Sequence, residues 1–170
     1  MRGTRRGTAA VAAVTAGLMT VTAGCGLLDE SGTPLAPTPE PTPPFVARTV
    51  ADEIAGFARA AGLPDGNTST GGLPGGDWQK CVAPWTGYAP AAGAADAFEG
   101  TLTRLRQHDW ELVSSHAVRD ITYRTLAKRG WKLYARYHAV QGAGPTVSLN
   151  AVEDGCRLPG KARGAYEDPA

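Results

Sequence analysis

The stretch 131–139 alternates strictly between apolar and polar side chains, and this alternation constrains the fold more than any other feature of the chain. The apolar positions are Trp131, Leu133, Ala135, Tyr137 and Ala139, and the positions between them are Lys132, Tyr134, Arg136 and His138. Successive side chains of a strand point to opposite faces of a sheet. The pattern therefore predicts a strand with one buried and one solvated face, which requires a second layer to cover the apolar side.

Further strand candidates lie on both sides of this stretch. Residues 121–128 end at Arg129-Gly130, which predicts a tight turn and hence a hairpin with 131–140. Additional strands are predicted at 78–85, 111–116 and 146–152. An alternative for 121–129 is a helix capped by Asp120 and ended by Gly130. With the strand interpretation, the second half of the chain forms a four-strand antiparallel meander.

Two helices are predicted before this meander. Val50, Ile54 and Phe57 recur at helical spacing and predict a helix over 49–61, which Gly62 and Pro64 end. A similar spacing of apolar residues predicts a second helix over 94–108. The predicted fold class is α+β, in the order α-β-α-β-β-β-β, with two helices packed on a small, mainly antiparallel sheet. The globular domain is expected to span 45–158, with a mobile surface loop at 64–77 and a flexible tail at 159–170.

The N-terminal segment has the organisation of an export signal. Three arginines are followed by an uncharged run over 9–23 that is rich in small residues. This order predicts a cleaved signal peptide over 1–24, because the run is too short and too weakly apolar for a good membrane-spanning helix. An uncleaved signal anchor is the alternative. Arg5-Arg6 leaves a twin-arginine route open beside the general secretion route.

The segment Thr22-Ala23-Gly24-Cys25 resembles the lipobox of bacterial lipoproteins, and the overall layout resembles small uncharacterised lipoproteins of actinobacteria. The resemblance implies cleavage before Cys25, attachment of lipid to its sulfur, and a location on the extracytoplasmic face of the cell membrane. Two or more acyl chains would make the anchor stable. The family pattern most often has Leu where this chain has Thr22. A secreted protein with a free Cys25 is the alternative.

Residues 25–44 have the composition of a tether. Prolines recur at positions 34, 37, 39, 41, 43 and 44, twice separated by a threonine, and such a sequence forms a semi-rigid spacer rather than a core. Removal of 1–24 takes away three arginines and no acidic residue, which leaves 14 Lys and Arg against 16 Asp and Glu. This mild charge predicts solubility and gives no reason to expect nucleic-acid binding.

Two cysteines remain when Cys25 is assigned to lipid. Cys81 and Cys156 are an even pair in a chain expected outside the cytosol, and such a pair predicts one disulfide. Metal binding is the less favoured alternative, because neither cysteine belongs to a C-x-x-C motif or has a nearby histidine. His108, His116 and His138 have no ligand spacing among themselves. We therefore predict neither a metal site nor a cofactor.

One local concentration of charge stands out. Residues 119–136 contain six Lys or Arg and one acidic residue, with aromatic residues interspersed. We predict a candidate binding face on one side of the hairpin, made of Arg124, Lys128, Lys132, Tyr134, Arg136 and His138. Such a face could bind an anionic envelope polymer or stack against sugars. The alternative is an ordinary solvated face of a sheet that is covered on one side only.

No catalytic motif is present in the sequence. No Gly-x-Ser-x-Gly elbow surrounds a serine, and acidic residues such as Asp52-Glu53 are adjacent rather than spaced for paired acid–base work. We therefore predict a non-enzymatic, membrane-anchored envelope lipoprotein whose domain binds a ligand or an envelope partner. The alternatives are an envelope hydrolase with a dispersed site and an accessory or sensory subunit of a membrane complex.

Overall fold

The computed structural model of the chain describes residues 44–73, 75–90, 92–139 and 144–166. The predicted signal peptide, Cys25 and nearly all of the tether lie outside the described residues. The described part contains three α-helices, a short 3-10 helix (Asp77–Cys81) and six strands. The helices are α1 (Ala47–Ala60), α2 (Ala94–Gln107) and α3 (Gly160–Tyr166); the strands are β1 (Val82–Ala83), β2 (Thr86–Tyr88), β3 (Glu111–Val118), β4 (Ile121–Lys128), β5 (Trp131–His138) and β6 (Thr146–Glu153).

All six strands form one antiparallel sheet, which confirms the α+β class. Its order is β1-β6-β5-β4-β3, and β2 pairs with β6 beside β1. Residues 121–128 are a strand, as predicted from the hairpin pattern. Arg129 and Gly130 have φ values of 47° and 77°, the backbone conformation of a two-residue turn that matches the twist of paired strands.

The inner face of the sheet, which carries Trp131, Leu133 and Ala135, packs against α1 and α2. Val50 and Ile54 of α1 and the apolar side chains of α2 join these strand residues in one buried cluster. Val147, Leu149 and Ala151 of β6 belong to the same cluster, as their alternation predicts. The two predicted helices therefore form one layer over the strands.

The outer face, which carries Lys132, Tyr134, Arg136 and His138, is partly covered as well. Val152 lies opposite Lys132 across β5 and β6, and it packs in a second buried cluster with Trp78, Val82, Leu158, Ala162 and Tyr166. The predicted flexible tail over 159–170 is therefore wrong for Gly160–Tyr166, which form α3. Ala162 and Tyr166 anchor this helix by burying their side chains against the sheet, and 167–170 lie outside the described residues.

Three local predictions also need correction. The predicted strand over 78–85 is a 3-10 helix followed by the two-residue strand β1. The helical turn lets Trp78 bury its side chain in the cluster on the outer face of the sheet. The loop at 64–77, which is predicted to be mobile, is attached to the sheet by an isolated antiparallel β-bridge between Asn67 and Thr86. The first helix begins at Ala47 rather than at residue 49, and its N-cap residue Val46 offers no side-chain hydrogen bond.

None of the helices in the described part of the chain is long and apolar enough to cross a membrane.

Candidate binding site

The structure divides the candidate binding face between the two sides of the sheet. Lys128 lies opposite Trp131, and Arg124 lies opposite Ala135. Because residues directly opposite each other share a face, Arg124 and Lys128 are on the inner face with the core. Lys132, Tyr134, Arg136 and His138 are on the outer face. The prediction that all six residues form one surface is therefore wrong.

The two inner-face cations are engaged by the helices. The Nζ of Lys128 lies 2.7 Å from the Oε1 of Glu53, and the side chains are only 10% and 17% exposed. The indole N–H of Trp110 donates to the same oxygen at 3.0 Å. Arg124 pairs with Glu99 of α2 at 3.2 Å. These cations hold α1 and α2 on the sheet and are not presented to an external ligand.

The cations of the outer face also have partners. The Nζ of Lys132 lies 3.4 Å from a carboxylate oxygen of Asp154. Arg136 donates from Nη1 to the carbonyl oxygen of Gly164 at 2.9 Å, and its guanidinium lies 5.7 Å from the ring centre of Tyr123. A hydrogen bond to a carbonyl near the C-terminus of a helix suits a cation. Arg136 therefore fastens α3 to the sheet, while His138 stays exposed at the end of β5.

Cys81 and Cys156 form the predicted disulfide. It joins the end of the 3-10 helix, just before β1, to the segment that follows β6. Because β1 pairs only with β6 among the described strands, the bond fixes covalently an edge that has very short strands.

A polar cleft opens on the outer face of the sheet, where three parts of the fold meet. The loop at 67–73, the strands and α3 together line a volume of about 270 Å³. The lining residues are Asn67, Ser69, Thr70, Gly71, Leu73, Pro84, Thr86, Asn150 and Tyr166. None of these carries a charged side chain, and most offer a hydroxyl or an amide. The cleft therefore presents neutral donors and acceptors set among apolar surface, which forms the larger part of its lining.

The loop side of the cleft is fixed by its own hydrogen bonds. The backbone N–H of Asn67 donates to the carbonyl of Thr86 at 2.7 Å, and Thr86 donates back at 2.9 Å. The side-chain oxygen of Asn67 accepts from the N–H of Ser69 at 2.8 Å, as in turns that Asn favours. Gln79 donates from its amide to the hydroxyl of Thr70 at 2.9 Å. These bonds hold the loop backbone and the hydroxyl of Thr70 in place before any ligand arrives.

Close packing below the loop explains how it reaches the sheet. The indole of Trp85 lies between Gly66 and Gly87, and a Cβ on either glycine would collide with the ring. The absence of a side chain at both positions lets the loop lie flat on the buried tryptophan. The backbone N–H of Trp85 is also 3.4 Å from the side-chain oxygen of Asn150, which links the loop side of the cleft to β6.

The remaining side of the cleft is Tyr166 of α3. Its ring packs edge-on against Trp78, with centroids 6.0 Å apart, and burial raises the pKa of its phenol above the usual value of 10.0. The phenol therefore keeps its proton throughout the physiological pH range. Sequence reasoning missed this residue because it assigned 159–170 to a tail, although Leu158, Ala162 and Tyr166 already have helical spacing.

No family model, curated protein or solved structure matches the chain significantly. Within the described residues, no group of three or more His, Cys, Asp or Glu is arranged to hold a metal ion.

Proposed function

We propose that the mature chain is a lipid-anchored protein of the cell envelope whose α+β domain binds a small, uncharged ligand rich in hydroxyl and amide groups, such as a sugar unit of an envelope glycan, without turning it over. The chemical class of the ligand is inferred from the side chains that line the polar cleft. Its side chains offer hydroxyls and amides, and none is charged.

The size and chemistry of the cleft favour such a ligand. Drug-sized ligands occupy clefts of roughly 300–1,000 Å³, and the volume here is about 270 Å³, which suits one sugar ring or a similar group. Ser69, Thr86 and Asn150 can each donate and accept. Leu73 and Pro84 offer apolar surface for the C–H side of a ring. A charged ligand would find no opposite charge among the described lining residues.

An anionic polymer on the hairpin is less well supported. Arg124 and Lys128 lie on the inner face, and Lys132 and Arg136 already interact with Asp154 and Gly164. A polymer would have to compete with these contacts. The neutral cleft therefore replaces the basic face as the preferred site.

The ligand proposal is tested by titrating the unlipidated mature chain (Cys25→Ser) with N-acetylglucosamine and with glucuronate, using calorimetry and backbone amide NMR. We expect N-acetylglucosamine to bind and to shift the amides of Asn67, Ser69 and Thr86, and glucuronate to bind more weakly. Thr86→Val should weaken binding about 5-fold, since a single hydrogen bond is worth about 1 kcal/mol.

Ser69→Ala should act in the same direction as Thr86→Val. The matched control is Ser115→Ala, because Ser115 is also exposed but lies on the distant strand β3. Equal binding by all three variants, or tighter binding of glucuronate, would contradict the neutral cleft. Conversion of a glycan substrate by the chain would favour the hydrolase alternative instead.

The anchor is tested separately by cell fractionation and palmitate labelling. Cys25→Ser should abolish labelling and release the protein from the membrane fraction. Thr22→Leu, which brings the segment closer to the usual lipobox, should leave both readouts unchanged. Membrane retention of the Cys25→Ser variant would support an uncleaved signal anchor and would overturn the lipid assignment.

A further inference from the structure

A cavity of about 550 Å³ opens at the disulfide, and both Cys81 and Cys156 line it. Neither cysteine is fully buried. The rest of the lining comes from the 3-10 helix and from the segment 153–159. Thiol–disulfide exchange needs a path for an attacking thiolate to a disulfide sulfur. A cavity of this volume can admit a small molecule, so a thiol can reach the bond in the folded chain.

One end of the disulfide is connected to the loop side of the polar cleft. Cys81 is the last residue of the 3-10 helix, and Gln79 of the same helix donates its hydrogen bond to the hydroxyl of Thr70 at 2.9 Å. Thr70 and Leu73 line the cleft. Leu73 and Cys81 both pack against the outer-face cluster. The position of the 3-10 helix therefore sets the position of the loop side.

The other end of the disulfide is connected to the helical side of the cleft. Cys156 is followed by Leu158 and then by α3, and Leu158, Ala162 and Tyr166 are buried in the outer-face cluster. Trp78 of the 3-10 helix packs edge-on against Tyr166, the cleft residue of α3. The disulfide therefore ties together the two segments that hold two of the three sides of the cleft.

The main core does not depend on this bond in the same way. The inner-face cluster beneath α1 and α2 contains nineteen buried residues of the described part and neither cysteine. The outer-face cluster has six buried residues, and α3 is a short helix with two glycines, which disfavour helix formation. Loss of the bond therefore loosens the cover of the outer face, while the inner layer keeps its packing.

We propose that the Cys81–Cys156 disulfide is a redox switch for the polar cleft, opened through the cavity by a dithiol reductant. One thiolate of the reductant attacks a disulfide sulfur and forms a mixed disulfide, and the other cysteine leaves as a thiolate and takes up a proton. The second thiol of the reductant then displaces the first cysteine, which is protonated in turn. The chain gains two electrons and two protons, and the reductant becomes a disulfide.

Reduction under native conditions tests access to the bond. In the unlipidated mature chain (Cys25→Ser), Cys81 and Cys156 are the remaining cysteines. We expect dithiothreitol without denaturant to release two thiols per chain, at a rate proportional to its concentration and unchanged by urea below the unfolding transition. A rate that rises steeply with such urea would show that the sulfurs are reached only by unfolding, and it would overturn the proposal.

Hydrogen exchange measured by NMR without ligand tests the effect on the cleft. Reduction should speed exchange about 10-fold or more at Ser69 and throughout α3, and should leave Leu133 and Leu149 of the inner-face cluster protected. Reoxidation should restore the slow exchange. The control is Cys81→Ala with Cys156→Ala, which should exchange like the reduced chain both before and after dithiothreitol. Unchanged exchange, or loss of protection at Leu133 together with α3, would overturn a local switch.

The consequence for binding rests on the proposed function of the cleft. Reduction should weaken the affinity for N-acetylglucosamine about 10-fold, because binding must then restore order to at least one backbone residue, which costs about this much free energy. Equal affinity in the two redox states would overturn the switch. Absence of binding by the oxidised chain would contradict the proposed ligand alone, since hydrogen exchange still decides whether reduction loosens the cleft.

Discussion

The two edges of the sheet are stabilised by different physical means. At the β1–β6 edge the sheet is covered on both faces, by α1 and α2 on one side and α3 on the other, and the Cys81–Cys156 disulfide closes it. At the β3 edge the strand is largely exposed. Next to it, Glu53 contacts Lys128 of the neighbouring strand β4 and Trp110, which directly precedes β3. The braced edge carries the preformed cleft, whereas β3 pairs with β4 alone among the described strands. Tertiary cover and a covalent bond therefore stabilise one edge, whereas the other edge depends on strand pairing and a nearby ion pair.

The largest expected effect is the loss of the disulfide. Cys81→Ala with Cys156→Ala should lower the free energy of unfolding by about 4.5 kcal/mol, because the bond closes a loop with a sequence separation of 75 residues. Denaturant unfolding measures the loss, and reduction of the unmodified protein should reproduce it. A loss below about 1 kcal/mol would show that packing alone braces this edge.

The ion pair near the β3 edge should give the next largest effect. Lys128→Met leaves the Glu53 carboxylate with the Trp110 donor but without its cation, and we expect a loss of about 3 kcal/mol. Lys128→Met combined with Glu53→Gln should recover much of it, since no uncompensated charge remains. Additive losses in this double-mutant cycle would mean that the pair does not couple α1 to β4.

Matched valine substitutions compare the two edges directly. Val152→Thr introduces a hydroxyl into the outer-face cluster and should cost about 1–3 kcal/mol. Val113→Thr, at an exposed position of β3, should change the unfolding free energy by less than about 0.5 kcal/mol. Similar costs at the two sites would remove the distinction between the edges.

The smallest expected effect is confined to alkaline pH. Burial raises the pKa of Tyr166 above its unfolded value of 10.0, so the folded state holds its proton more tightly. This contribution is fully present below pH 10 and is lost as the pH rises through the folded pKa. Tyr166→Phe should therefore flatten the fall in thermal stability above about pH 10, while Tyr88→Phe, at an exposed site, should not. Parallel curves for the two variants would contradict a buried phenol.

Much of the fold follows from side-chain alternation. The pattern around Trp131, Leu133 and Ala135 predicted β5 and its buried face, and Arg129-Gly130 predicted the hairpin. The position of Arg124 and Lys128 on the buried face follows from the same hairpin. A two-residue turn after Lys128 pairs it with Trp131, so even positions of β4 share a face with odd positions of β5.

The polar cleft could not be predicted in the same way. It depends on the Asn67–Thr86 bridge, which brings a glycine-rich loop onto β2, and on α3. A helix of seven residues containing Gly160 and Gly164 has weak intrinsic propensity. It is stabilised by burial of Ala162 and Tyr166 against strands that are distant in sequence. Local sequence patterns do not report such long-range packing.

The pairing of β1 with β6 has a consequence for synthesis of the chain. Val82 of β1 pairs with Val152 of β6, so the ribosome must add 70 further residues before the partner of Val82 exists. At about 5–20 residues per second, the first strands wait roughly 4 to 14 s for the last one. During this interval the apolar side of α1 and the ring of Trp85 lack most of their final cover. The domain therefore completes its core only after β6 has been made.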